Sequence, residues 1–295
     1  MSVFSCVGLI GRLDSESTAY SLKRLIAYLR KQNIEILLDE ETAAVFDDAP
    51  QEIVSREELG NRCGLIIVVG GDGSLLSAAR AFAGKPIKIL GINRGRLGFL
   101  TDISPHEIEY RVGDVLNGKF ISETRFLLES NIVRDGQCIY SGIALNDVVL
   151  HPGQFIRMIE FELFINEEFV YRQRSDGLII SSPTGSTAYA LSCGGPIMHP
   201  SLDAIVLVPM NPHVLNSRPL LVPGNSSIRL RVSVDNNLAP QITNDGQVHA
   251  ATKGGDDIII TKSEKSIELI HPTAHNFYET CRGKLGWASE HTGNK

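Results

Sequence analysis

The sequence predicts an α/β domain followed by an all-β domain, and three features carry that prediction. The chain has 295 residues, more than one hydrophobic core usually spans, so two domains are expected. Through about residue 120, short β-branched runs alternate with amphipathic helical patterns, the grammar of βαβ units and a mainly parallel sheet. Beyond Ser122 the helical period gives way to strand alternation and hairpin signals.

Val3 to Ile10 reads as the first strand, ended by Gly11. From Ser17 to Lys31, Leu22, Leu25, Ile26 and Leu29 recur at helical spacing with Lys23, Arg24 and Arg30 between them, which predicts an amphipathic helix. Ile34 to Leu38 is a second strand, and residues 40–63 are acidic and weakly patterned, so a loop with short helical pieces is expected there. Leu65 to Val69 is a third strand, followed by a glycine-rich turn and a helix through about Ala83. Ile87 to Ile92 gives a fourth strand and His106 to Leu116 another helix. The predicted α/β domain is thus residues 1–120, and an all-β domain covers 121–271. Its hairpins turn at Asp135-Gly136 and at Asn166-Glu167, and later strand runs are Ile179–Ser181, Ile205–Val208, Ile228–Val234, Gln241–Thr243, Ile258–Ile260 and Ile267–Ile270. The remaining tail, 272–295, carries Phe277, Tyr278, Leu285 and Trp287, apolar enough to pack back on one of the domains.

Composition narrows the function classes. Hydrophobic and charged fractions of 43% and 21% are those of an ordinary soluble globular protein, and the net charge is −6. Lys and Arg are dispersed, which argues against a nucleic-acid partner held by a basic field. A polyanionic ligand would have to be met locally, by backbone donors, a few arginines or a metal. The five cysteines are far apart, odd in number and without a Cys-x-x-Cys, which points to reduced thiols and a cytoplasmic setting. No apolar run approaches the ~20 residues that span a bilayer, so neither secretion nor a membrane partner is expected.

Several apparent motifs fail on their context. Gly113 to Lys119 has Walker A spacing, but Phe120 stands where a Ser or Thr should bind magnesium, and the segment ends a helix. The dinucleotide fingerprint Gly-x-Gly-x-x-Gly is missing after the first strand, which removes the usual argument for hydride transfer. His271 and His275 are four apart, yet Pro272 spoils a helical metal pair, and no protein-held metal such as a structural zinc is expected.

Two turns remain. Gly70-Gly71-Asp72-Gly73-Ser74 leaves a strand and opens a helix, where backbone N–H groups and the helix dipole favour an anion and glycine allows close approach. Asp72 there is either a helix cap or a carboxylate placed to take a proton, or hold a metal, beside a phosphate. In the β half, Ser181 to Ser192 is a second Gly/Ser/Thr-rich turn that runs into a short helical stretch, unexpected in a β-rich domain unless it serves a ligand. Arg174-Ser175-Asp176-Gly177 lies just upstream, and Arg157 ends the apolar parity of Ile159, Phe161 and Leu163, so it either snorkels out or meets an anion.

Together these motifs resemble the NAD kinase family, bacterial enzymes that phosphorylate NAD to NADP. The resemblance rests on Gly70-Gly71-Asp72-Gly73, Asn93-Arg94-Gly95 with Leu97-Gly98-Phe99-Leu100, Asn146-Asp147, Asp176-Gly177 with Pro183 to Tyr189, and Asp245-Gly246-Gln247, in order along almost the whole chain. It implies a Rossmann-like α/β domain, then a β-sandwich domain, with the tail packing on the first domain. It also implies ATP or polyphosphate as phosphoryl donor with Mg²⁺, no tightly bound prosthetic group, and homodimers or homotetramers in which the NAD site borrows residues across a subunit boundary.

Carried over by position, Asp72 looks like the residue that takes the proton from the 2′-hydroxyl of the adenosine ribose, with Gly73 beside it. Asn146 and Asp147 would contact the adenosine part of NAD. Asp176 and the run Thr187, Ala188, Tyr189, Ala190, Leu191 and Ser192 would line the base and ribose pocket, with Arg157, Arg174 and Gln247 completing it. Gly70, Gly71, Gly73 and Ser74 would cradle the donor phosphates. The family usually has Asn-Glu where this chain has Asn146-Asp147, so the shorter carboxylate must reach further or act through water. Adjacent strand residues face opposite ways, so both can touch one ligand only at a bend or a strand end. The rivals are a lipid kinase of the diacylglycerol kinase type, which shares the Gly-Gly-Asp-Gly turn but needs a membrane-facing basic surface not evident here, and a catalytically silent dinucleotide sensor.

Overall fold

The structure is a computed structural model that describes residues 2–11, 16–44, 46, 51–94, 98–154, 157–236 and 239–287. Gly95 and Leu97 of the family pattern, and residues 288–295 of the expected tail, lie outside the described residues. The chain divides into two units, residues 1–124 with 267–295, and residues 125–266.

The first unit opens with β1 (Cys6–Gly11), α1 (Glu16–Lys31), β2 (Glu35–Leu38), α2 (Glu40–Ala43), β3 (Glu52–Ile53) and α3 (Arg56–Arg62). Next come β4 (Leu65–Val69), α4 (Asp72–Ala81), β5 (Lys88–Ile92), a 3₁₀ turn at Pro105–Glu107 and α5 (Ile108–Leu116). The strands are parallel in the order β5-β4-β1-β2-β3. On one face, Leu22, Leu25, Ile26 and Leu29 of α1 and Ile108, Val112 and Val115 of α5 pack on Val7, Leu9, Leu65, Ile67 and Leu90. The opposite parity meets other helices: Cβ atoms built at Gly8 and Gly91 would touch Leu59 of α3 and Leu75 of α4. Helices on both faces of a parallel sheet make this a doubly wound, Rossmann-like unit. The chain runs outward one way from β1 to β2 and β3 and the other way to β4 and β5, so the order reverses between β1 and β4. Ligands of such sheets bind beyond the carboxyl ends of the strands at that reversal, where the turn after β4 sits. Strand β3, unpredicted, is only two exposed residues long and extends the sheet beside β2.

The second unit contains β6 (Phe120–Arg134), β7 (Gln137–Ala144), β8 (Asp147–His151), β9 (Ile159–Ile165), β10 (Glu168–Ser175) and β11 (Gly177–Ser181). A 3₁₀ turn at Thr184–Thr187 leads to α6 (Tyr189–Ser192), followed by β12 (Ala204–Met210), β13 (Leu220–Pro223), β14 (Ile228–Val232), β15 (Gln241–Asn244), β16 (Val248–Ala251) and β17 (Asp257–Pro272). The chain crosses between units within β6 and within β17, and α7 (Phe277–Leu285) closes the described part. One antiparallel layer is β10-β9-β14-β17, with β6 on β17 and β7 on β6; the other is β13-β12-β11-β8-β15-β16. Their inner faces share one core, in which Phe161 and Leu163 of β9, Leu230 of β14 and Ile260 of β17 face Leu150 of β8, Leu178 and Ile180 of β11 and Ile242 of β15. A β-sandwich results, each fully buried Leu or Ile contributing about 1.5–3 kcal/mol.

Strands β8 and β11 are buried on both faces. Their outer residues Val149 and Ile179 join Val206, Val208, Ala190 and Met198 in a second cluster, so the segment through α6 covers the outside of that sheet. That cover explains the uninterrupted apolar run Leu178-Ile179-Ile180. The sequence gives little sign of β13 and β16, which form the two edges of this sheet with mostly exposed residues. Among the described residues, no helix is long and apolar enough to cross a membrane.

Candidate active site

In the first unit, β4 ends at Val69 and Gly71 caps α4 with extended backbone, so Asp72 is the first residue of the helix. Its carboxylate is held from the far side by the loop after β5. The Phe99 amide donates to Oδ2 at 2.9 Å, the Leu100 amide to Oδ1 at 3.1 Å, and the Thr101 hydroxyl to Oδ1 at 3.3 Å. Oδ1 thus carries two hydrogen bonds and Oδ2 one, which leaves Oδ2 an acceptor site for a further donor. Gly98 makes this possible: a Cβ there would stand 2.2 Å from Asp72 Oδ1 and 2.3 Å from Thr101 Oγ1. The exposed Arg94 brings Nη2 to within 3.8 Å of a Cβ built at Gly71, so a guanidinium stands beside the turn.

In the second unit, a cavity of about 400 Å³ is lined by Asn146, Asp147, Val149, His151, Ala188, Tyr189, Met210, Thr243, Asp245, Gly246 and His249. Asn146 immediately precedes β8 and Asp147 opens it, and at this strand end both face the same space. Two devices fix them. The first is the β15–β16 turn, where Asp245 and Gly246 adopt positive φ. Its Asp245 carboxylate accepts from the amides of Leu145 at 3.1 Å and Asn146 at 2.7 Å. The second is the Thr184–Thr187 turn. The Ser182 amide donates to the Asn146 carbonyl at 2.9 Å, and a Cβ at Gly185 would lie 2.2 Å from that carbonyl oxygen. Only glycine allows this contact of turn and strand end.

The cavity is electrostatically unusual. Burial, and then the Asp245 charge, push the Asp147 carboxyl up to about 7. The Asn146 side-chain oxygen is buried with no hydrogen-bond partner. His151 Nδ1 accepts from the Gly153 amide at 3.1 Å, so its neutral ring carries the proton on Nε2, also buried without a partner. Burial, then His249, lower the pKa of His151 and favour that neutral form. Both unpartnered atoms are buried in residues that line the cavity, and a buried unsatisfied polar group costs about 1–3 kcal/mol, which a hydrogen-bonding partner would relieve.

Of the expected NAD-contacting residues, Asn146, Asp147, Ala188 and Tyr189 line this cavity. Asp176 stands close by: its Oδ2 accepts from Asn211 at 2.8 Å, its amide donates to the Met210 carbonyl, and it helps raise the Tyr189 pKa, after burial, Cys193 and Asp147. Ala190 is buried in the cluster beneath α6, while Thr187 and Leu191 are half-buried and Ser192 exposed. Arg157 lies just ahead of β9, outside the strand that parity suggested, and is exposed, as are Arg174 on β10 and Gln247 in the β15–β16 turn. Sequence reasoning assigned no role to His151, Thr243, Asp245 or Arg94. For Asp245 the signal was present, since Asp-Gly between two strands marks a hairpin turn whose carboxylate can face back.

A family model described as ATP-NAD kinase N-terminal domain matches residues 7–120, and one described as ATP-NAD kinase C-terminal domain matches residues 145–272. The NAD kinase of Saccharophagus degradans is 74% identical over 293 residues, covering 99% of both chains. That of Teredinibacter turnerae is 67% identical over 294 residues, covering 100% of both. Among solved structures, an NAD kinase from Archaeoglobus fulgidus in complex with ATP matches with a TM-score of 0.74 and 26% identity, over 94% of this chain and 99% of that one. A yeast NADH kinase complexed with NADH shares the fold, with a TM-score of 0.89 at 24% identity over 99% of this chain and 90% of that one. Matched in both halves and at high identity over its whole length, the chain belongs to the NAD kinase family.

Proposed function

We propose that this protein transfers the terminal phosphoryl group of ATP to the 2′-hydroxyl of the adenosine ribose of NAD, giving NADP, with Asp72 as general base. The observation that carries the reading is the Asp72 carboxylate, locked by the Phe99 and Leu100 amides with an acceptor site left on Oδ2. A ribose hydroxyl is a poor nucleophile at neutral pH. Proton transfer from it to Oδ2 accompanies attack of its oxygen on the terminal phosphorus, the bond to the bridging oxygen breaks, and ADP leaves. Such base assistance contributes typically ~10²–10⁴-fold. Gly70, Gly71, Gly73 and Ser74, at the N-terminus of a ten-residue helix, meet the donor phosphates, with Arg94 as a nearby cation.

Magnesium fits this turn as the companion of ATP. The turn's one carboxylate among the described residues, Asp72, has its remaining acceptor site committed to the ribose proton, so the ion would be held by the donor phosphates and water. The ion would supply charge neutralisation on the transferring phosphoryl group. Asn146 and Asp147 hold the adenosine end of NAD, where an open acceptor and the His151 donor suit a polar heteroaromatic ring, and Ala188 and Tyr189 flank it. Asp176, Thr187, Ala190, Leu191 and Ser192 complete the pocket. The exposed Arg157, Arg174 and Gln247 suit contacts made across a subunit boundary in a homodimer or homotetramer. Cytoplasmic residence, suggested by the five dispersed cysteines, belongs to the same reading.

The test is to incubate the purified protein with Mg-ATP or polyphosphate and NAD and to look for NADP. NADP is expected, and Asp72→Asn should abolish turnover with NAD binding retained. Loss of NAD affinity with catalysis per bound substrate preserved would overturn the role of Asp72. Product seen only with a lipid acceptor, or binding without product, would overturn the reaction.

A further inference from the structure

His271 is the penultimate residue of β17, and Pro272 ends that strand. The His275 amide donates to the Pro272 carbonyl at 2.8 Å, and this turn folds the second imidazole back onto the first. The rings stack with centroids 4.0 Å apart and 18° between their planes. Both Nδ1 atoms face one oxygen of Asp102, in the loop after β5: Oδ2 lies 3.0 Å from His271 and 2.8 Å from His275. The side chains retain 1%, 7% and 10% of their accessible surface for His271, His275 and Asp102. A helical pair is indeed ruled out by Pro272, but a strand end and a turn bring the same residues together.

Hydrogen bonding between two neutral imidazoles and Asp102 accounts poorly for this arrangement. If both Nδ1 atoms carry protons for Asp102, His271 Nε2 is left as a bare lone pair, buried without a hydrogen-bond partner, 3.9 Å from the Glu123 carboxylate. A lone pair facing a carboxylate is repulsive. Charging His271 instead places an imidazolium between the Asp102 and Glu123 carboxylates, and this metal-free ion pair is the alternative against which the zinc titration below is set. If the Nδ1 lone pairs face a cation, the proton moves to His271 Nε2 and points toward Glu123, the carboxylate–histidine–metal arrangement that orients ligating imidazoles. Asp102 Oδ1, likewise buried without a hydrogen-bond partner, is then the second oxygen of a ligating carboxylate.

We propose that Asp102, His271 and His275 form a binding site for a divalent metal of the zinc class, with a further coordination position open to solvent. The three ligand atoms lie within 4.8 Å of one another. Zinc bonds of about 2.0–2.2 Å place tetrahedral ligands roughly 3.3–3.5 Å apart, so admitting the ion moves Asp102 Oδ2 away from the two Nδ1 atoms and turns the stacked rings until their in-plane lone pairs meet it. Two imidazoles and one carboxylate favour zinc and its neighbours over magnesium or calcium. The open position faces a cavity of about 250 Å³ lined by Asp102, Glu107, Arg111, His275, Asn276 and Glu279. The metal would tie the start of the C-terminal segment to the loop whose Thr101, one residue before Asp102, holds Asp72.

The experiment strips the full-length protein with a chelator and titrates it with Zn²⁺ against a chromophoric competitor, and with Co²⁺ by visible absorption. One zinc per chain and an intense cobalt band are expected. His275→Gln and Asp102→Asn should each weaken zinc binding at least tenfold and lose the band, whereas His199→Gln, at a half-buried histidine of the second unit, should change neither. Should the variants misfold, nitrogen-15 shifts of the wild-type imidazoles decide the matter, since zinc should move Nδ1 of two histidines. Failure of the wild type to bind zinc, unchanged affinity in both variants, or the absence of any Nδ1 shift would overturn the site.

Discussion

The Asp245 carboxylate accepts from the Asn146 amide at 2.7 Å, so a hairpin turn on β15 and β16 sets the start of β8 and the face that Asn146 and Asp147 present. The same carboxylate is the second cause, after burial, of the raised Asp147 pKa. Asp245→Asn keeps an acceptor for the amide but removes the charge. The Asp147 titration should move down from about 7 and stay above the ordinary carboxylate range, because burial persists. Carboxyl NMR of labelled protein reads this directly, and an unmoved Asp147 would contradict the coupling.

Asp147 also makes stability depend on pH, with a definite sign. Its folded pKa of about 7 lies above the ordinary aspartate value of 3.8, so well below 3.8 it is protonated in both states and costs nothing. As pH rises toward 7 the unfolded chain ionises first and the folded state loses stability, by up to about 1.4 kcal/mol per pH unit, with the full cost present above 7. Asp147→Asn removes this titration. Urea unfolding of variant and wild type at pH 5 and pH 8 should therefore show the variant's relative stability rising toward pH 8. A gap equal at both values would remove Asp147 as the source.

The Thr184–Thr187 turn makes a steric prediction. A Gly185→Ala methyl would stand 2.2 Å from the Asn146 carbonyl oxygen and 2.4 Å from its carbon, backbone atoms that cannot swing aside. Overpacking of this kind costs about 1–3 kcal/mol. The turn and strand end should separate, lowering the melting temperature and weakening NAD binding together. Wild-type values of both would show that the turn is not braced on Asn146.

What was legible follows from distance along the chain. Leu65 to Val69, the glycines after it and the helix from Asp72 are local signals, and each reads directly as strand, turn and helix start. The change at Ser122 was legible for the same reason. The edge strands β13 and β16 expose most of their residues, so no alternation marks them. Asp72 was visible as a carboxylate in a turn, but its fixed orientation comes from Phe99 and Thr101, 27 and 29 residues downstream. Likewise Asp245 acts on Asn146 across 99 residues, and Asp102 on His271 across 169, couplings made by strand pairing and loop return that no sequence period records.

Gly98 gives the sharpest test of how Asp72 is held. The built Cβ lies 2.2 Å from Asp72 Oδ1 and 2.3 Å from Thr101 Oγ1, so Gly98→Ala cannot keep both the carboxylate and its hydroxyl partner in place. The carboxylate is the easier group to displace, because the Gly98 amide is bonded to the Thr101 carbonyl at 3.1 Å and the loop is buried at Thr101. With Asp72 as the base proposed above, a displacement near 1 Å would cost on the order of 10²-fold in rate. The Asn146 and Asp147 cavity is built from other residues, so NAD affinity should stay within about twofold while kcat falls about a hundredfold. The split separates misplacement of the base from damage to the pocket: an unchanged kcat would mean the loop does not position Asp72, and a parallel loss of affinity would mean that Gly98 acts on the NAD cavity instead.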